Sequence, residues 1–299
     1  MATEVAPPER RRRGKARGGA AGPRYPAWLA LPAVSWYVLF FLGPLAIMAA
    51  YSFAEVSGFT DVAFNWNLGN YRYLWDPLYG EIFLRTLKLA LIGTALTLLI
   101  GFPFAYYLAR YAKHRTLLLM LVIVPFWTSF LIRTYSWLIV LDPDFPVFRA
   151  LGINGLVEDA ELLYTTKAIY IGVVYNYLPL MVLPLYAALE RMDWTLVEAA
   201  QDLGDNALRA FRRVTLPLVL PGVIAGSLLV FIPLTGEFLI PSILGGDKIF
   251  YVGNLIAQQF GEARDWPFGS AIAMVVIGGM TVALLFYARV LGRQEQFGG

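Results

Sequence analysis

Long apolar runs, each carrying few charges, dominate the pattern along the chain. Six of them lie near residues 27–53, 86–109, 116–141, 168–189, 218–240 and 268–289. Each holds about 20 or more mostly apolar residues, enough at ~1.5 Å per residue to cross roughly 30 Å of hydrocarbon. The pattern predicts an all-α polytopic membrane protein with six transmembrane helices. The first run is too long for a cleaved signal segment and reads as a retained helix, bent near Gly43 and Pro44. Pro103, Pro125, Pro179, Pro184, Pro221 and Pro233 fall inside the runs. Membrane helices tolerate such prolines where neighbouring helices or local adjustments satisfy the freed carbonyls.

The polar stretches between the runs set the organisation. Residues 1–26 form a basic tail rich in Gly, Pro and Ala that cannot bury a core and is expected to be disordered. Its Arg10–Arg13 run fits a cytoplasmic topology anchor better than a nucleic-acid site, because an apolar run follows at once. Residues 27–291 are the six-helix membrane domain, with a long inner loop at 190–217, and 292–299 are expected as a C-terminal tail. With both termini inside, sixteen of the 24 Lys and Arg fall in the N-terminal tail, at 110–115, at 190–217 and from Arg289 to the C-terminus. That asymmetry predicts cytoplasmic termini, in the inner membrane of a bacterium. The outer segments are acidic, and an acidic mouth concentrates cations. The last outer segment, 241–267, contains Gly245, Gly246, Gly253 and Gly261. It either folds back over a pore mouth or uses them as loop punctuation.

Composition narrows the function classes. Hydrophobic residues make up 58% of the 299 and charged residues 15%, whereas soluble domains carry about a quarter charged. There is no Cys, and His114 is the sole histidine, so a thiolate metal site or a Ser–His catalytic pair has almost no material. No Gly-x-x-x-x-Gly-Lys-Ser/Thr loop is present to cradle ATP phosphates. The chain therefore reads as a transport subunit, with no cofactor or metal of its own expected.

The inner loop is not random linker. Thr195 and Glu198 have capping-box spacing. Leu196, Ala200, Leu203 and Ala207 recur at spacings of four, three and four, an apolar stripe on a short helix. Gly204 permits a sharp turn at positive φ, Asp205 or Asn206 can cap the next helix, and Pro217 closes the unit before the fifth run. An interfacial helix lying on lipid would show a Lys/Arg-rich polar face, whereas Glu198, Asp202 and Asp205 occupy this one. The helix is expected to dock on another protein.

Two charges lie within the runs: Arg133 in the third and Glu237 in the fifth. Intramembrane charges are costly and either pair with each other or face an interior path. Arg133 and Glu237 form a structural ion pair, or Glu237 lines the path and meets a passing cation. Trp127, Tyr135, Trp137, Tyr175 and Tyr177 either stack ammonium groups or pack helices. Asp142 and Asp144, just outside the third run, either hand cations inward or are simply solvated.

The run Glu198-Ala199-Ala200, three residues, Gly204, nine residues, then Val214-Thr215-Leu216-Pro217 resembles the signature loop of binding-protein-dependent ABC import permeases. Val214 stands where that family more often has Ile. Asn70-Tyr71, Gly101-Phe102-Pro103, Val124-Pro125-Phe126-Trp127-Thr128, Leu131-Ile132-Arg133, Gly236-Glu237-Phe238 and Arg264-Asp265-Trp266-Pro267 are similar to the spermidine/putrescine permease subfamily, from about residue 65 to 290. The resemblance implies a type I ABC importer permease fold. It implies that Glu198, Ala199, Ala200, Asp202, Gly204, Leu216 and Pro217 couple to an ATPase, and that polyamines pass by alternating access. The partners it implies are a second related permease, two ATP-binding subunits that hold ATP and Mg, an extracytoplasmic binding protein and membrane lipid. The rival readings are another small amine or an anion as substrate, and an ion-gradient-driven transporter, for which the chain is short and the inner loop has no purpose.

Overall fold

The computed structural model describes residues 28, 31–57, 61–151 and 162–297. The expected basic tail at 1–26 lies outside the described residues. The chain divides into two compact units, residues 1–47 and 48–299. The first contributes most of α1, Leu31–Tyr51, which is apolar on all sides and has no buried residue. A helix of that kind belongs in lipid or against a partner. The bend expected at Gly43 and Pro44 is instead a π turn over Val38–Leu42, closed by the Gly43 amide on the Val38 carbonyl. Widening the ladder just before Pro44 absorbs its missing donor.

In the second unit, a two-stranded antiparallel hairpin, β1 Glu55–Ser57 with β2 Asp61–Ala63, pairs Glu55 with Ala63. It leads through α2, Gly69–Tyr73, to α3, Pro77–Arg110. Asp76 caps α3 by accepting from the Leu78 amide at 2.9 Å, and Pro77 starts the helix where no donor is needed. The other long helices are α7, Thr166–Glu190; α9, Ala207–Leu234; and α12, which begins at Trp266 and runs to Phe297. The helix thus continues through the segment expected as a C-terminal tail.

The third run is not one helix. It forms α4, Arg115–Trp127, ending in a 3-10 turn, and α5, Phe130–Val140, with a 99° bend between them. Pro125 removes a ladder donor, and the Thr128 hydroxyl donates to the Pro125 carbonyl at 2.7 Å. Thr128 and Ser129 are then extended, with ψ of 156° and 134°. Beyond it lies the short α6, Pro146–Ala150.

Helices α3, α7 and α9 pack around Leu89, Ile169, Val173, Met181, Leu185, Leu189 and Leu234, all essentially buried. The α7–α9 approach depends on small residues. A Cβ on Gly222 would sit 2.9 Å from the Pro184 carbonyl oxygen, and one on Gly226 would sit 3.1 Å from that of Met181. Close backbone approach of this kind is how membrane helices gain packing without a hydrophobic driving force.

The fifth run ends as a helix at Leu234, not near 240. Pro233 and Gly236 terminate it, and Glu237 falls in the break. The chain then folds back as α10, Leu239–Gly245, and α11, Val252–Phe260, joined through Gly246 at φ 62°. Of the two readings of 241–267, the fold-back is the one observed. Val252 and Leu255 pack with Ile82, Phe268 and Ile272, and the Val252 amide donates to the Thr86 hydroxyl at 2.8 Å.

Candidate coupling helix and intramembrane polar cluster

The inner loop folds as α8, Thr195–Asp202, followed by the start of α9. Its N-terminal cap is Asp193, not the expected Thr195–Glu198 box. Asp193 Oδ1 accepts from the Thr195 hydroxyl at 2.8 Å and the Thr195 amide at 3.0 Å. Those bonds hold the Asp193 carboxyl below its ordinary range. Asp193 competes better than Thr195 for the first amides because it is charged.

At the other end, the Asp205 amide donates to the Ala200 carbonyl at 3.1 Å and the Gly204 amide to Gln201 at 2.9 Å, with Gly204 at φ 93°. This is a Schellman closure, and it requires the left-handed residue at Gly204. A Cβ there would meet nothing within 4 Å, so the requirement is conformational and not steric. Gly204→Ala is therefore expected to cost about 1 kcal/mol of local stability. The measurement is ATPase stimulation in the assembled complex, which should fall several-fold with assembly retained. Asn206 caps α9, accepting from the Arg209 amide at 2.8 Å, and Arg213 pairs with Asp205 at 3.1 Å.

Leu216 and Pro217 do not close the loop. The helix runs through them, with a π turn over Phe211–Thr215 just before Pro217. The widened turn takes up the donor that Pro217 lacks, as at Pro44.

Two faces of this unit differ. Val197 is buried, Trp194 and Ala200 are partly buried against the core, and Trp194 stacks under the Arg110 guanidinium at 4.9 Å and edge-on to Tyr106 at 5.5 Å. Phe211 meets Phe102 at 5.5 Å. At the base of the loop, Glu190 pairs with Arg115 at 3.1 Å and accepts from Tyr186 at 2.8 Å. The outward face carries Leu196, Glu198, Ala199, Asp202 and Leu203, with Leu203 90% exposed. The stripe read from the sequence is thus split: Ala200 turns inward, while Leu196, Leu203 and Ala207 face out. Trp194 and Phe211 thus anchor the loop on α3, and Glu190, the last residue of α7, pairs with Arg115 of α4.

The second cluster sits at the break after α9. Glu237 is 7% exposed and accepts from the Tyr177 hydroxyl at 2.5 Å, the Leu239 amide at 2.9 Å and the Ile240 amide at 3.2 Å. It caps α10 and ties that helix to α7. Hydrogen bonds to a charged group contribute about 1.5–3 kcal/mol each, and a helix N-terminus favours the negative charge. Asn254 braces the same break from α11, donating to the Phe238 carbonyl at 3.2 Å and to Ser242 at 2.8 Å. Gly253 lets α11 approach, since a Cβ there would sit 2.6 Å from the Gly236 carbonyl oxygen. The sequence pattern does not reveal these contacts of Tyr177, Asn254 and Asp193; an Asp two residues before a helix is the one legible signal among them.

The structure does not join Arg133 to Glu237. Arg133, on α5, lies under the rings of Phe126 and Phe130, its guanidinium carbon 5.0 and 5.8 Å from their centres. Trp127 and Tyr135 are exposed on α4 and α5, while Trp137 packs edge-on to Tyr175 at 5.3 Å. Asp142 accepts from the Asp144 amide, and Asp144 pairs with Arg149 at 2.5 Å. Both members of that pair are exposed, so it contributes little.

Residues 97–295 match the family described as binding-protein-dependent transport system inner membrane component. The spermidine/putrescine transport system permease protein PotB of Escherichia coli strain K12 is 42% identical over 258 residues, covering 86% of this chain and 94% of that protein. Its Haemophilus influenzae counterpart is 41% identical over 257 residues, covering 85% and 90%. The E. coli inner membrane ABC transporter permease protein YdcU is 31% identical over 277 residues, covering 88% of each. Among solved structures, a chain of a bacterial ABC transporter involved in the import of the acidic polysaccharide alginate superposes with a TM-score of 0.59 at 18% identity. The match covers 90% of this chain and 96% of that one. A chain of the bacterial alginate transporter in complex with its alginate pentasaccharide-bound periplasmic protein superposes equally well, at 17% identity.

Proposed function

The chain belongs to the family of binding-protein-dependent transport system inner membrane components, the permeases of ABC importers, and from that premise we propose that it forms half of the path by which polyamines enter the cytoplasm. The observation that carries the coupling part is Leu203, an apolar side chain held out in water at the tip of a helix whose other face packs on the core, with Trp194 seated on α3. The substrate class is supported by the spermidine/putrescine relatives that align along most of the chain, and by the acidic outer segments.

In this reading two ATP-binding subunits grip α8 of this chain and of a second, related permease. ATP closes them, α8 moves inward, and the contacts of Trp194, Val197 and Phe211 carry the motion into the spanning helices. The two states differ in free energy because they present different contacts to the ATPase. ATP and Mg bind the partner subunits. An extracytoplasmic binding protein delivers the substrate to the outer face. The N- and C-termini lie in the cytoplasm, by the distribution of Lys and Arg.

Glu237 then sits where a cation leaving the outer mouth would meet its first buried carboxylate, already satisfied by Tyr177 and α10. An ammonium group that displaces the Tyr177 hydroxyl would loosen α7 from α10, so passage and helix motion are linked at one residue. The test of the substrate class is ATPase activity of the assembled complex with its binding protein. Spermidine or putrescine should stimulate hydrolysis at least several-fold, and alginate-like anions or neutral amino acids should not. Stimulation by an anion alone would remove the polyamine assignment and leave the importer intact.

A further inference from the structure

Arg133 is a buried cation without a counter-ion among the described residues. It is 7% exposed, and its Nε, fully shielded from solvent, has no hydrogen-bond partner. No described carboxylate reaches it: Asp144 is taken by Arg149, and Glu237 by Tyr177 and the α10 amides. Phe126 and Phe130 give it only ring faces. Cation–π contacts return about 0.5–2 kcal/mol, far less than the cost of holding an ion away from water at membrane depth.

The side chain also lines an open groove of about 390 Å³, formed with Pro125, Thr128, Ser136, Trp137 and Tyr175. The groove exists because the third run breaks at Thr128 and Ser129 and bends by 99°, exposing the start of α5. Ile132, also in its lining, is 65% exposed, as is Ile139 on α5, and Trp127 at the end of α4 is 82% exposed. A cation buried at the wall of an apolar groove marks the place where an anionic group from elsewhere arrives.

We propose that this groove receives a spanning segment of the second permease subunit, and that a carboxylate on that segment pairs with the Arg133 guanidinium. Substrate is the wrong sign to be the occupant, since a polyamine would be repelled. A lipid headgroup is placed wrongly. Arg133 lies seven residues before the end of α5, about 10 Å at 1.5 Å per residue. Its guanidinium packs on Phe126 and Phe130, both N-terminal to it, so it is drawn toward the break and not toward the end of the helix. Exposed aromatic and aliphatic side chains around a single buried Arg are the composition of an interface centre. The inference rests on the two-permease reading above.

The chain has no cysteine, so a single cysteine introduced into it has no background from this subunit, and native cysteines of the partners are replaced by Ser beforehand. The experiment expresses the full complex with Ser136→Cys in this chain and a cysteine scan of the Asp and Glu positions within the spans of the second permease. A bifunctional thiol reagent should join Ser136→Cys to one of those positions. In parallel, Arg133→Met should lower the second permease retained through purification by at least about tenfold, and Arg133→Lys should restore most of it. Arg133→Glu should regain assembly when the cross-linked carboxylate is changed to Arg. Size-exclusion profiles of this chain alone show whether each variant still folds, and the cross-link is independent of them. Cross-linking only to the ATPase or binding protein, or labelling only by a lipid-phase probe, would overturn the proposal. So would full retention of the second permease by Arg133→Met. A wild-type complex that retains no second permease at all would overturn the two-permease reading together with it, whereas failure of the Arg133 arms alone leaves that reading standing.

Discussion

Leu203→Glu should abolish ATP-dependent uptake while leaving the fold unchanged. Leu203 is 90% exposed and makes no packing contact that the substitution removes. Surface changes of that kind stay within about 0.5 kcal/mol, so the thermal midpoint should move by no more than about 2 °C. At an interface the same change is severe. It withdraws an apolar anchor from its pocket and forces a carboxylate to desolvate there, a hot-spot loss of at least about 2 kcal/mol, or roughly 30-fold in affinity. Co-purification of the ATPase subunit should fall by that factor, and uptake with it. Leu203→Met, which nearly conserves volume, should retain both. Ala200→Glu is a less clean probe than the sequence suggests, because Ala200 packs partly against the core and its loss would confuse docking with folding. If Leu203→Glu retained the ATPase subunit, α8 would not be the docking tip.

The second large effect is at Glu237, and two substitutions separate its roles. Glu237→Ala leaves the Leu239 and Ile240 amides and the Tyr177 hydroxyl without their acceptor, in a site with almost no water. Each such orphan costs about 1–3 kcal/mol, so α10 should detach and the complex should be destabilised by several kcal/mol. Glu237→Gln keeps an acceptor oxygen for the two amides, and its NH2 can donate to the Tyr177 hydroxyl, which accepts as well as donates. Its stability should stay within about 1 kcal/mol of wild type. With the charge gone, polyamine uptake should fall at least tenfold if the carboxylate meets the cation. Uptake near wild type in Glu237→Gln, with loss in Glu237→Ala, would make Glu237 a helix cap alone.

Much of this architecture is legible in the chain. Five of the six apolar runs form helices long and apolar enough to cross a membrane, the third forms two helices at 99°, and Gly204 adopts the positive φ that its place after an apolar stripe demands. The break at Thr128 is not legible. Other prolines lie in the runs, and Pro103, Pro179, Pro184 and Pro221 sit inside helices that continue. Pro125 differs in having two hydroxyl residues soon after it, one of which takes the Pro125 carbonyl out of the ladder. A proline tally cannot see that competition, since it depends on rotamers. Glu237 is legible as a costly charge but not as a cap, because its partners, Tyr177 and α10, come together only when the chain turns back at Gly236. The cap at Asp193 is hidden for a simpler reason. Asp193 and Thr195 are both good cap residues two positions apart, and the sequence pattern favours the one with Glu three residues later.

The loop and the break share a design. Each uses a short helix fixed by a carboxylate at its start: Asp193 for α8 and Glu237 for α10. The second is also tied to α7, through Tyr177, whereas the first rests on α3 through Trp194. Helix α7 thus carries Tyr177, which holds Glu237, and ends at Glu190, three residues before the Asp193 cap. A rigid helix spanning the two is a physical basis for coupling, provided both ends have two arrangements.

The most direct test of the account is uptake by proteoliposomes. This chain, the second permease, the ATPase subunit and the polyamine-loaded binding protein would be reconstituted, and labelled spermidine and putrescine followed with and without ATP on the ATPase side. Accumulation should require ATP, the ATPase subunit and the binding protein together, and Leu203→Glu should reduce it to background. Accumulation that proceeds without the ATPase subunit, driven by an ion gradient, would contradict the account.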